Sequence, residues 1–161
     1  MNQAVLAAKT ETVKTITEKA KESQTIIVCE YRGLTVAQIQ EVRRALHKEN
    51  AEMGVYKNSL VERAVDELGY NEMNDILKGP NAIVFSKDVI GGAKVIAKYA
   101  KRHKDVLIVK GGVVEGKFVD AAGMLEVAKL PGKEGLISMF LSCLQAPIRS
   151  FACAVKAVAD K

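Results

Sequence analysis

The chain has 161 residues, enough for one domain with a real core and an appendage. Hydrophobic residues make up 48% of it, which excludes a disordered chain, while 5% aromatic content and no Trp leave little from which to build an aromatic cage or a deep ligand pocket. The net charge of +5 points either to a polyanionic partner or to solvated lysine faces, and charge alone does not separate the two.

Taken in chain order, Ala4 to Lys21 carries Leu6, Val13, Ile16 and Ala20 on one side of a helix. The β-branched run Thr25 to Tyr31 predicts a buried strand, and Arg32-Gly33 a turn after it. Thr35 and Gln38 are spaced as a capping box for a helix that buries Val36, Ile39, Val42 and Leu46. Its other face shows Gln40, Arg44 and His47, flanked by Arg43 and Lys48. Glu52 to Lys57 predicts a short strand, and Asn58 an N-cap for the helix Ser59 to Leu68. Lys78-Gly79-Pro80 turns the chain into a third strand, Ala82 to Phe85.

Asp88 then caps a helix to about Arg102, whose basic end (Lys98, Lys101, Arg102, Lys104) suits the helix dipole. Val106 to Val109 and Val113 to Glu115 read as the last strands, with Gly111-Gly112 as a bend between them. Ala121 to Ala128 is a short helix, and Leu130-Pro131-Gly132 breaks the chain before a final helix. The expected fold is α/β: a mixed β-sheet with some parallel pairs, covered by helices and followed by an extended C-terminal helix that projects from the globule. The boundary is expected near residue 130, between a globular part, residues 1–130, and the final helix, residues 131–161.

That last helix writes its apolar stripe twice. A shift of 11 residues lays Ile137 on Ile148, Phe140 on Phe151, Leu141 on Ala152 and Leu144 on Val155. Such a period is about 3.67 residues per turn, so both copies fall on one side of a helix. Leu136, Ile137, Phe140, Leu141, Leu144, Ile148, Phe151, Val155 and Val158 make up that side. Ser138, Ser142, Gln145, Arg149 and Lys156 make up the other. An amphipathic helix ordinarily folds back on its own domain, but a repeated sticky face reads as a rod with equal docking sites.

Catalytic chemistry is hard to assemble from this inventory. The two histidines, His47 and His103, lie in basic helical faces, and no Ser or Cys has a His at a motif spacing. Gly91-Gly92 and Gly111-Gly112 match neither phosphate-loop pattern and read as backbone bends. Cys29, Cys143 and Cys153 show no C-x-x-C and suit a reducing cytosol as small hydrophobes. We expect no metal, no cofactor, no signal peptide and no membrane span, since the charge-free tract Gly135 to Ile148 is short of the roughly 20 residues a span needs.

Binding chemistry is easier to find. Arg32 follows a strand, Lys57 ends one and Asn58 opens a helix, so parallel strands would bring these groups to one edge of the sheet. Two cations beside helix N-termini and backbone N–H groups suit phosphate, with Gly33 at the turn and Arg43, Arg44, His47 and Lys48 widening the patch. Lys9 joins them because it interrupts the apolar stripe of the first helix, where it either snorkels or meets phosphate. The competing reading is a solvated charged face, because Glu41, Glu49 and Glu52 dilute the field.

Tyr31-Arg-Gly-Leu-Thr-Val-Ala-Gln38, Lys57-Asn-Ser-Leu60, Arg63-Ala64 and Lys78-Gly-Pro80 with its following apolar strand resemble, in order and spacing, bacterial large-subunit ribosomal protein ten. The likeness runs through essentially the whole chain. Ser59 stands where many relatives have Thr, which leaves the capping chemistry intact. The resemblance implies a stalk-base protein of the large ribosomal subunit in the cytoplasm. It implies that the globule anchors to large-subunit ribosomal RNA beside a neighbouring stalk-base ribosomal protein. The terminal helix would then carry dimers of stalk protein seven/twelve, which recruit translational GTPases. Two copies of the stripe predict two dimers. The competing class is a membrane-peripheral protein that lays its final helix in a lipid interface, against which stand Arg149, Lys156 and Pro147.

Overall fold

The computed structural model describes residues 3–102 and 106–159. The elements are α1 (Gln3–Glu22), β1 (Thr25–Glu30), α2 (Val36–Lys48), β2 (Ala51–Gly54), α3 (Asn58–Leu68), a 3-10 turn (Asn71–Asp75), β3 (Asn81–Ser86), α4 (Gly91–Arg102), β4 (Ile108–Val114), β5 (Lys117–Asp120), α5 (Ala121–Val127) and α6 (Lys133–Ala159). The chain divides into two compact units, Met1–Lys129 and Leu130–Lys161. His103 and Lys104, at the basic end of the expected fourth helix, lie outside the described residues.

The α/β class, the helix-covered sheet and the long C-terminal helix are as the pattern indicates; the parallel pairs are not. The strands lie in the order β2-β3-β1-β4-β5, and every pairing among the described residues is antiparallel. The crossover through α2 joins β1 to β2, which run the same way, but β3 lies between them. The crossover through α4 joins β3 to β4, and there β1 fills the gap. Each crossover thus skips one strand position and a strand of the other crossover occupies it, so helix-strand alternation produces antiparallel neighbours.

Helices cover both faces, which is why β1 and β3 are apolar at nearly every position rather than at alternate ones. Ile26, Val28, Ile83, Phe85 and Val113 pack with Val13, Ile16 and Ala20 of α1 and Val61, Ala64 and Val65 of α3. Ile27, Cys29, Ala82 and Val84 turn the other way, onto Val42 and Leu46 of α2, Ala93 and Ile96 of α4 and Met124 of α5. Two stripe positions escape burial, since Leu6 is 44% and Val36 73% exposed. Both sit in the first turns of their helices. A 20-residue helix is about 30 Å long against about 20 Å for a six-residue strand, so α1 overhangs the sheet.

Four further expectations need correction. The second strand stops at Gly54, so Lys57 does not end a strand but is the N-cap residue of α3, and Asn58 is its first helical residue. Asp88 caps nothing directly, because α4 begins at Gly91. The final strand pair is not broken at Gly111-Gly112: β4 runs from Ile108 straight through both glycines, which pair with Val28 and Ile27. A fifth strand, Lys117–Asp120, returns along β4 after a tight turn at Glu115 and Gly116, both with positive φ (50° and 81°). The capping box of α2 forms as expected, with Thr35 N–H donating to Gln38 Oε1 at 2.9 Å and Gln38 N–H to Thr35 Oγ1 at 3.4 Å.

Candidate nucleic-acid interface and docking helix

Because β1 and β2 are both antiparallel to β3, their C-terminal ends emerge at the same end of the sheet. The start of β3 and the start of β4 lie at that end too, where Glu30 pairs with Asn81 on one side and Ile108 on the other. Here the chain turns at Tyr31–Leu34, with Leu34 N–H donating to Tyr31 O at 3.2 Å. Gly33 holds φ +94°, which a side chain would strain, and so leaves Arg32 exposed at the tip of the turn.

Lys57 and Asn58 enter the same end from β2. The capping box of α2 takes the N–H groups of Thr35 and Gln38, while Lys57 brings no capping oxygen to α3. Helix geometry leaves the N–H groups of Asn58 and Ser59 in α3, and of Val36 and Ala37 in α2, without an intrahelical acceptor, so both helix starts present free donors at this end. The Asn58 side chain does not cap; its Nδ2 donates to Gly79 O at 3.0 Å and ties the helix to the Lys78–Pro80 loop.

Lys9 is half-buried on α1. Thr17 Oγ1 donates to Glu67 Oε2 at 3.3 Å, and α1 and α3 run the same way along one face of the sheet. Counting back along both helices from this bond brings Lys9 level with the first turn of α3. Arg44 is not part of this gathering. It stands on the exposed side of α2, on the opposite face of the sheet, beside a groove it lines with Glu41, Lys48, Lys98 and Tyr99. Glu41 there accepts from Tyr99 Oη at 3.0 Å and from Arg102 Nη1 at 3.3 Å.

Two cations at the strand end went unread in the sequence. Lys78 has a side chain 83% exposed, with only a loose 3.8 Å approach to Asp75; the Gly-Pro turn after it was the available signal. Lys110 Nζ donates to Lys78 O at 2.7 Å and Asn81 Oδ1 at 2.9 Å and pairs with Glu30 Oε2 at 3.1 Å. No local pattern marks it, because it is placed by a register shift between two strands distant in sequence.

In α6 the whole stripe is exposed, from Leu136 at 37% through Phe140 (64%), Leu144 (59%), Ile148 (74%) and Phe151 (73%) to Val158 at 76%. Ile137, Leu141 and Val155 are also more than half exposed. The helix runs unbroken through Pro147, and on its polar side Arg149 Nη2 donates to Gln145 Oε1 at 3.3 Å. By length and composition alone, Glu134–Ala159 is apolar enough to cross a membrane, which the count of charge-free residues had underrated.

Among the described residues no three His, Cys, Asp or Glu converge as metal ligands. Burial pushes the Cys29 thiol up to about 12, so it stays protonated and inert, its Sγ pointing to Ala82 O at 3.6 Å. A cationic strand end and a displayed apolar helix are the parts of an assembly protein.

Comparison with known families agrees. The family described as Ribosomal protein L10 matches residues 4–101, and that described as Ribosomal protein uL10 C-terminal region matches residues 130–161. Large ribosomal subunit protein uL10 of Bacillus licheniformis is 46% identical over 159 residues, covering 98% of this chain and 95% of that protein. The chain belongs to the L10 (uL10) family of large-subunit ribosomal proteins, a structural and not an enzymatic family.

Proposed function

We propose that this chain is the base of the ribosomal stalk. Residues 1–130 hold large-subunit ribosomal RNA through Arg32, Gly33, Lys57 and Asn58, with Lys9 alongside and Arg44 as a separate contact on the α2 face. Residues 131–161 dock two dimers of stalk protein seven/twelve, which recruit translational GTPases. A neighbouring stalk-base ribosomal protein shares the RNA, and the assembly works on cytoplasmic ribosomes. The observation that carries this reading is the exposure of the apolar stripe of α6 in both of its copies. Exposed apolar surface on this scale is the mark of a docking surface. Each copy spans about 16 Å of helix, enough to lie across one small helical dimer. Phe140 and Leu144 anchor the first dimer, and Phe151 and Val155 the second. Pro147 lacks the N–H its turn requires and lets the two point apart.

Native mass spectrometry of the co-expressed complex counts the partners: four stalk copies per chain are expected, and two after Phe151→Asp. Six copies, or an unchanged count in the variant, would break the repeat argument. For the RNA end, the expected effect of Arg32→Ala with Lys57→Ala is weaker binding to stalk-base RNA and a salt slope flatter by about 1.5, from two lost phosphate contacts. An unchanged slope in the folded double variant moves the RNA surface elsewhere.

The apolarity of Glu134–Ala159 supports a second reading, in which α6 lies in a lipid interface. Arg149, Lys156 and Pro147 within the helix weigh against it. Strong flotation with anionic liposomes, and no loss of it on adding the stalk protein, would favour the membrane.

A further inference from the structure

We propose that Lys110 is a positioning residue for the RNA-binding end: it never touches phosphate, but fixes the loop that carries Lys78 and steadies the first turn of α3. The proposal rests on the RNA reading above for its consequence, though not for its geometry. An ammonium has three N–H donors, and Lys110 Nζ spends them on Lys78 O (2.7 Å), Asn81 Oδ1 (2.9 Å) and Glu30 Oε2 (3.1 Å). None remains for a phosphate. The Lys110 and Glu30 side chains are only 20% and 22% exposed, unlike Lys78 at 83%.

The placement is built into the sheet. Pairing steps from Cys29↔Val109 to Val28↔Gly111, so Lys110 is the extra residue of a bulge in β4. Such bulges re-aim a side chain, and this one turns a lysine back onto the ends of β1 and β3. From there the connection runs outward. Lys110 holds the Lys78 carbonyl, Gly79 follows at φ +97°, and the Gly79 carbonyl accepts from Asn58 at the start of α3. Asn81, itself 4% exposed, locks the far side of the loop through its Nδ2 and the Ile76 carbonyl at 3.5 Å. One half-buried cation thereby sets the spacing between an exposed cation and an open helix N-terminus.

The test separates positioning from contact. Full-length wild type, Lys110→Met and Lys78→Ala are titrated with a transcribed stalk-base RNA fragment over a range of potassium chloride concentrations. Lys110→Met is expected to bind about tenfold more weakly at every salt concentration with the slope unchanged, because no phosphate contact is lost. Lys78→Ala is expected to flatten the slope by about 0.7 to 0.9. A flattened slope for Lys110→Met would make Lys110 a phosphate contact, and unchanged affinity in that folded variant would make it merely structural; either overturns the proposal. Hydrogen exchange of the amides of Leu60, Val61, Asn81 and Ala82, measured without RNA, should quicken about tenfold in Lys110→Met. Faster exchange with no RNA binding even by wild type would sink the RNA reading and leave the clamp standing, whereas unchanged exchange sinks the clamp. If Lys110→Met does not fold, Glu30→Gln replaces it, with an expected threefold loss at constant slope.

Discussion

Leu46 and Leu144 are the same side chain on two amphipathic helices, yet Leu46 in α2 is fully buried and Leu144 in α6 is 59% exposed. In the globular unit the stripe of α2 meets Ile27, Cys29 and Val84 of the sheet, and its transfer from water contributes to folding. In the helical unit the equivalent transfer has not occurred. At about 25 cal/mol per Å² of apolar surface, that undelivered free energy is what a docking partner can collect. The difference teaches that an amphipathic pattern specifies a face to be covered and says nothing of what covers it; in α6 the repetition of the pattern was the distinguishing signal.

The contrast breaks most directly by truncation of the two leucines. Leu46→Ala should destabilise the chain by about 3 kcal/mol in urea unfolding, through lost transfer and a cavity. Leu144→Ala should change it by less than about 0.5 kcal/mol while weakening partner binding. Equal losses would mean that α6 is part of the folded core. The cysteines sharpen the same point at lower amplitude. Cys29→Ala should cost about 1 to 2 kcal/mol, because Cys29 is wholly buried, and Cys143→Ala and Cys153→Ala should cost next to nothing. Thiol titration of the native protein should find Cys143 and Cys153 reactive and Cys29 silent until unfolding. The smallest effect lies at the entry of α2: Thr35→Ala removes a formed capping box and should cost about 1 kcal/mol, against roughly zero for the neighbouring, exposed Val36→Ala.

Thr35 and Gln38 were legible because a capping box is closed by residues three apart, and the burial of Val42 and Leu46 because helical periodicity is local. Leu6 obeys the same periodicity but overhangs the sheet, and strand length relative to helix length is not written in either segment; Val36 obeys it too but stands at the first helical position, next to the cap. The antiparallel neighbours escaped detection because strand order is decided by which distant segment fills the gap left by each crossover. For the site, Arg32, Gly33, Lys57 and Asn58 come to the same end of the sheet because β1 and β2 do point the same way, though β3 separates them. Arg44 stands apart from them because it belongs to the far face of the sheet, and Lys110 was missed because a bulge exists only in a pair of strands.

The position of β1 at the centre of the sheet also sets a timetable for synthesis. Val28 pairs with Ile83 on one side and Gly111 on the other, so β1 has no neighbour until β3 has been made and no second one until β4 follows. At bacterial elongation rates the interval from Glu30 to Val114 is on the order of ten seconds. Until Ser86 has been added, the nascent chain carries Ile26, Ile27, Val28 and Cys29 as an unpaired apolar segment. Non-local pairing of this kind folds slowly once the chain is complete. The early segment, rather than the late helix, is therefore where a chaperone would first engage the growing polypeptide.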